Sequence, residues 1–413
     1  MLYQSGNLHK QRDKGLPKME HFPIVLALVR AAARERNPAV LQHAQRLREA
    51  LAQGGADEEA LALETVFESI RAAAGKMAPA RVVLSKAMVA GEPITPNTAV
   101  PVDKETSTPL AELWTIDRLQ NLKAPILDDR PAKAVEHLVD QWINADRLQE
   151  AGVKVPRTTL FFGPPGTGKT RLALWTAQKL GLPVLLARLD GLTSSYLGTT
   201  ARNIRALFDF ANRHRCILLL DEFDGIAKLR DDPQELGEVK RVVNAVLQAM
   251  DSRAGTGLTI ALTNHENLLD PAVWRRFDAR MEIGLPSAGT RQKIAERYLD
   301  SFPVAVGAIK VLAWMTDGLS GSDVETMCDF IKRYLTLHAN EHTSVVDALE
   351  LYLELSASTS ESPAVLSLKK GRSIWAQEAL RSRDLKITQA DVADAMGTTQ
   401  SKVSRLIARN SVN

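Results

Sequence analysis

Residues 158–171 read TTLFFGPPGTGKTR. A short apolar, β-favouring run, Leu160 to Phe162, feeds directly into Gly163, Pro164, Pro165, Gly166, Thr167, Gly168, Lys169 and Thr170, and a helical pattern begins at Arg171. The glycines let the backbone curl so that its N–H groups converge on an anion, and the following helix adds the positive end of its dipole. Lys169 is placed to reach the outer phosphates of a nucleotide, and the Thr170 hydroxyl to ligate Mg²⁺. Glycine, lysine and threonine at this spacing, with a strand before and a helix after, mark a phosphate-binding loop.

Working outward from that loop, residues 183–187, 216–220, 258–262 and 280–283 are short apolar runs suited to buried parallel strands, separated by amphipathic helices. The alternation predicts an α/β domain with one doubly wound parallel sheet over residues 117–288. After CILLL come Asp221 and Glu222, two carboxylates at the C-terminal end of a strand, where open α/β sheets bind ligands. Asp221 suits a water-mediated contact to Mg²⁺, and Glu222 suits the general base for a water attacking a phosphoanhydride. A later strand ends in Thr263-Asn264, and an amide there is placed to hold the lytic water and sense the terminal phosphate. Beyond it, Arg275 and Arg276 are placed at the edge of the domain, within reach of a neighbour's nucleotide.

The 413 residues, 45% of them hydrophobic, are enough for two or three domains with a sizeable core. No apolar run approaches the roughly 18 residues of a membrane span, because the longest candidate is interrupted at Arg30. The N-terminal stretch lacks a leader pattern, so a frayed tail and a cytoplasmic location are expected. Cys216 and Cys328 each lie in an apolar pattern far from the other and read as buried free thiols. A net charge of +3 argues for no polyanionic partner by itself, so any nucleic-acid case rests on local patterning.

Six stretches in this order, GPPGTGKT, LLLDEFDGIA, EVKRVVNAVLQAMD, ALTNHENLLDP, VWRRFDAR and GLSGSDVETMC, resemble the AAA ATPases of the AAA+ superfamily over residues 117–335. The resemblance implies a ring, usually a hexamer, with ATP and Mg²⁺ at subunit interfaces. It implies that Lys169, Thr170, Asp221 and Glu222 act within one subunit, that Asn264 is the first sensor, and that Arg275 and Arg276 are fingers from the next subunit. RRF stands where many members have R-P-G-R-F, a shortening shared with spastin- and katanin-like proteins, which leaves open how the two arginines divide the work. No arginine occupies the second-sensor position, so Gly318, Gly321 and Ser322 are expected to line the nucleotide base. Similar proteins carry an aromatic-aliphatic pair in a loop that grips a polypeptide in the ring's pore; here that pair is Tyr196 and Leu197, with a second pore loop at residues 230–237. An aromatic ring suits this grip because it offers a wide, sequence-tolerant surface at low entropy cost.

Residues 1–87 read as three short helices, an adaptor that recruits a protein client or partner, or a packing accessory. Residues 88–116 carry Pro93, Pro96, Pro101 and Pro109 among small and polar residues and read as an extended linker. Residues 289–360 match the helical lid of the family. Residues 361–413 have two readings: a closing element of the lid, through a threonine-x-x-aspartate helix, or a helix-turn-helix resembling phage-repressor DNA-binding domains. In the second, Val392, Ala393 and Met396 form one core face, Gly397 makes the turn, Val403 and Leu406 anchor the next helix, and Gln400, Ser401, Lys402 and Arg405 face a major groove. Residues 369–413 hold nine basic and four acidic side chains, which supports phosphate contacts over 380–409 without compelling them. The functional expectation is a ring ATPase that remodels a protein client. Its rivals are a DNA-associated ATPase switch and an activator of a separate effector such as a protease, since the sequence contains neither HExxH nor GxSxG.

Overall fold

The computed structural model describes residues 47–48, 51, 56, 59–65, 91–95, 97–188, 197–227, 236–253, 257–339, 341–355 and 362–410. The chain divides into two units, 1–81 and 82–413. In the first, residues 59–65 are helical, Leu63 is fully buried, and Arg48 pairs with Glu64. Most of the three expected N-terminal helices lies outside the described residues.

The second unit is built on a six-stranded sheet. Its strands are β1 (Ala111–Trp114), β2 (Thr158–Phe162), β3 (Val184–Ala187), β4 (Ile217–Leu220), β5 (Leu258–Thr263) and β6 (Ala279–Glu282), in the order β1-β3-β4-β5-β2-β6. Every pairing is parallel except β1 with β3. Strand β4 is ILLL, buried throughout, because helices cover both faces. Alternation sends its side chains to two cores: Leu218 and Leu220 meet α5 (Leu197–Arg213) and α7 (Leu236–Arg253), while Ile217 and Leu219 meet α2 (Asp129–Ile143) and α4 (Lys169–Leu180). On α5, Ile204, Leu207, Phe208 and Ala211 are all buried, as their helical spacing predicts. Short helices α1 (Ile116–Leu119), α3 (Ala145–Glu150), α6 (Asp224–Ala227) and α8 (Pro271–Trp274) complete this part.

The segment expected as a linker departs from that expectation. From Gly91 it runs bound along the sheet's edge and α5, and it ends as strand β1. Glu92 N donates to Arg213 O at 2.8 Å and Arg215 N to Glu92 O at 2.8 Å. Asp103, 1% exposed, accepts from Asn203 Nδ2 at 2.7 Å and from the backbone of Glu105 and Thr106. A backbone beside an open sheet edge finds partners there, and Leu110 and Ala111 bury against β3.

Among the described residues, eight helices follow: α9 (Ala288–Leu299), α10 (Val306–Met315), α11 (Gly321–Leu337), α12 (Val345–Leu355), α13 (Pro363–Lys369), α14 (Arg372–Leu380), α15 (Gln389–Ala395) and α16 (Gln400–Asn410). They share one core, in which Ile294, Val324, Val346, Trp375, Val392 and Val403 are in a single cluster. The boundary expected at residue 360 therefore separates no two cores.

Candidate nucleotide site

The phosphate loop leaves the C-terminal end of β2 and enters α4 through Gly168, whose φ of +90° only glycine adopts readily. Gly163 is needed for close approach: a Cβ there would lie 2.4 Å from Ile283 O. At Gly166, with φ +74°, a Cβ would lie 2.3 Å from Ser320 Oγ. Ser320 caps α11 in a reciprocal box with Asp323, and Ser322 N donates to Gly166 O at 3.0 Å. The loop is thus clasped by the first turn of a lid helix, which places Gly321 and Ser322 beside it.

A cavity of about 440 Å³ opens here, lined by Pro165, Gly166, Thr167, Gly168, Lys169, Thr170, Arg171, Asp221, Glu222, Asn264, Gly321 and Ser322. Lys169, 7% exposed, donates from Nζ to Gly163 O at 2.8 Å and Pro164 O at 2.7 Å. Burial pushes its ammonium below the usual lysine range, opposed by the charges of Asp221, Asp224 and Glu266. Thr170 Oγ1 donates to Asp221 Oδ2 at 2.9 Å, a hydroxyl and a carboxylate set side by side as Mg²⁺ requires. A divalent ion bound by this pair would neutralise charge on the outer phosphates of ATP. The donor set and the volume fit both groups.

Glu222 follows directly, with φ +49°, a left-handed conformation costing a non-glycine residue about 1 kcal/mol. The conformation is held by Phe223 N donating to Leu262 O at 2.8 Å and by Glu222 N donating to Asp221 Oδ1 at 2.9 Å. Thr263 Oγ1 donates to the buried Asp224 Oδ1 at 2.9 Å, which fixes the end of β5, and so Asn264, to the carboxylate turn.

Arg275 and Arg276 lie elsewhere. Thr158 Oγ1 donates to Arg276 O at 2.7 Å, and Asp278 accepts from Arg157 N and Thr158 N, so the arginine turn is fastened to the start of β2. That is roughly 16 Å, a full strand, from the loop at its other end. The two side chains also differ: Arg276 pairs with Asp251 at 3.1 Å, whereas Arg275 is exposed and, among the described residues, forms no ion pair. Tyr196 and nearly all of the second pore loop lie outside the described residues, as does the side chain of Leu197.

The cavity has walls that the motifs do not announce: Ile126, Asp128, Thr290, Arg297 and Tyr298. Arg171 Nη1 donates to Tyr298 OH at 3.0 Å, joining α4 to the lid. Asp128 stands just before α2, where an aspartate reads as a helix cap, yet it makes no cap bond. Its carboxylate instead accepts from Ser287 N, Ser287 Oγ and Thr290 Oγ1 at the start of α9. Burial opposes its charge, but these bonds and nearby Arg291 outweigh burial and hold its pKa below the usual aspartate value.

A phosphate loop, paired carboxylates and a polar strand end around one cavity on a doubly wound sheet define a nucleoside-triphosphate-binding fold. Comparison with known proteins narrows this. Residues 159–285 match the family described as ATPase family associated with various cellular activities (AAA). The chain is 41% identical over 191 residues to an uncharacterized AAA family ATPase, y4kL, of Sinorhizobium fredii, covering 46% of this chain and 58% of that protein. It is 34% identical over 204 residues to a putative 26S proteasome regulatory subunit homolog of Methanocaldococcus jannaschii, 48% of this chain and 54% of that one. It is 32% identical over 240 residues to the ATP-dependent zinc metalloprotease FtsH 3 of Sphaerobacter thermophilus, 57% and 49% respectively. The chain spans about half the length of these relatives. It carries an AAA ATPase domain, as its motifs predict.

Proposed function

We propose that the protein is a ring-forming, Mg²⁺-dependent ATPase of the cytoplasm, usually hexameric, that couples hydrolysis to unfolding, translocating or remodelling a protein client. The observation that carries the ring is the separation of Arg275 and Arg276 from their own phosphate loop by the length of β2. An arginine so placed serves a nucleotide only from a neighbouring subunit. Within one subunit, Lys169 holds the outer phosphates, Thr170 and Asp221 hold Mg²⁺, Glu222 takes the proton of the attacking water, and Asn264 positions that water. Gly321 and Ser322, next to the loop, line the side toward the base.

The client reading rests on the family and on Tyr196 with Leu197, which precede and open α5. The first unit would recruit the client or partner. Relatives named as proteasome regulatory homologs and an ATP-dependent protease favour a protein client, and leave room for a separate effector. The buried free thiols Cys216 and Cys328 suit a reducing compartment.

Mixing two inactive variants tests the assembly. Glu222→Gln supplies intact arginines, and Arg275→Ala/Arg276→Ala supplies an intact base, so mixed rings regain some complete interfaces and part of the turnover. No recovery, together with activity independent of protein concentration, would place the arginines in cis or make them structural. Client gripping is tested by Tyr196→Ala, which should leave basal ATPase within a few-fold but abolish stimulation by client.

A further inference from the structure

We propose that α15, its turn and α16 form a duplex-DNA-binding surface, with the outer face of α16 laid in the major groove. The two readings of the tail are not exclusive, because the two helices do different work. Helix α15 closes the lid. Val392, Ala393 and Ala395 are buried in the lid core, and a Cβ on Gly307 of α10 would lie 2.6 Å from the Asp391 backbone, so the two helices touch at glycine distance. Thr388 and Asp391 cap α15 reciprocally.

Helix α16 keeps one side, at Val403 and Ile407, in that core and turns the other outward. Met396 to Thr399 form the turn, with Gly397 at φ +57° and Thr398 N donating to Ala393 O at 2.9 Å. Val403 is fully buried, and Leu406 and Ile407 are half-buried on the same side. Ser373 Oγ and Gln377 Nε2 of α14 donate to Leu406 O and Ile407 O, so a third helix braces the pair. The remaining face, Gln400, Ser401, Lys402, Ser404 and Arg405, is exposed. A helix so presented, braced by two others, with its N-terminal polar residues outermost, has the docking geometry of a major-groove reader.

The charge pattern selects the partner. Helix α16 contains no acidic residue, and among the described residues neither Lys402 nor Arg405 forms an ion pair. Of the two carboxylates of α15, Asp391 accepts from Lys310 Nζ at 3.3 Å, and Asp394, though exposed, has an oxygen 2.4 Å from where a Gly307 Cβ would stand, on the side of α10. An exposed helix that only closes a lid needs no single-signed face; a phosphate backbone does. B-form DNA admits a helix in its major groove, whereas A-form RNA does not, which favours duplex DNA.

The experiment is anisotropy of a labelled duplex of mixed sequence with the full chain, without nucleotide, so that its outcome is separate from the ATPase reading. Binding at about 50 mM salt should weaken steeply toward about 200 mM. Lys402→Glu/Arg405→Glu, and the milder Lys402→Gln/Arg405→Gln, should weaken it at least about 10-fold and lower the salt slope by about 2, with ATPase and melting temperature unchanged. No duplex binding at low salt, unchanged binding by both variants, or tighter binding of RNA than of the duplex would overturn the proposal.

Discussion

The two ends of strand β2 are built differently. At its C-terminal end the phosphate loop is enclosed by the chain's own parts: Lys169 is buried, Thr170 is bonded to Asp221, and Gly166 is clasped by the start of α11. At its N-terminal end, the turn bearing Arg275 and Arg276 is fixed just as firmly by Thr158 and Asp278, but its side chains point to no nucleotide of their own. One end is a cradle away from Arg275 and Arg276, and the other presents those two arginines away from the cradle. Under the ring reading proposed above, two copies would share one complete site.

The cradle end should fail severely. Glu222→Gln removes the proposed base and leaves the loop intact, so it should bind ATP with Mg²⁺ yet hydrolyse it at least about 100-fold more slowly. Nucleotide binding by calorimetry and steady-state turnover check the two halves of that statement. Near-normal turnover would mean that another group activates the water.

At the arginine end the expected effects are unequal. Arg275 is unpaired among the described residues, while Arg276 is held by Asp251. A transferable finger is worth about 10³-fold or more in turnover, so Arg275→Ala should approach that loss. Arg276→Ala should cost at least about 10-fold less, because an exposed pair with Asp251 contributes little and mainly orients the turn. Equal losses would show that Arg276 leaves Asp251 during turnover and that both arginines reach the phosphate.

The same contrast explains what was legible in the sequence. The cradle depends on residue types that chemistry restricts, glycine for positive φ and lysine for phosphate, and these occur at fixed spacing along a few turns of chain. Its motifs, and five of the sheet's six strands, are therefore readable. The cavity's other wall is made by residues distant in sequence whose types are ordinary: Asp128 reads as a helix cap and Tyr298 as lid packing until folding brings each against a partner on another element. Strand β1, AELW, was concealed because it is four residues long, lacks β-branched side chains and follows a proline-rich run. Arg253 looks like surface charge at a helix end, yet it is 1% exposed and donates from Nη2 to Cys216 O and Leu258 O, an environment no local pattern encodes.

The smallest predicted effect concerns the wall of the cradle at Asp128. Asp128 fastens the segment before α2 to the first turn of α9, and Asp128 and Thr290 both line the cavity. Its folded pKa is depressed, so its contribution to stability is fully present above the ordinary aspartate value near 4 and is lost as pH falls through the lower folded value. At neutral pH, Asp128→Asn should cost about 1 kcal/mol, since charge-assisted bonds to Ser287 and Thr290 become ordinary ones at a partly exposed site. ATP affinity should fall a few-fold with it, because the wall loses its tether without losing the phosphate loop. In denaturation at descending pH, the gap between wild type and variant should close only below about pH 4, where the wild-type carboxylate takes up its proton. A gap that stays constant through that range would mean that Asp128 acts by shape rather than charge, and that the cradle owes its closure to the clasp of α11 on Gly166.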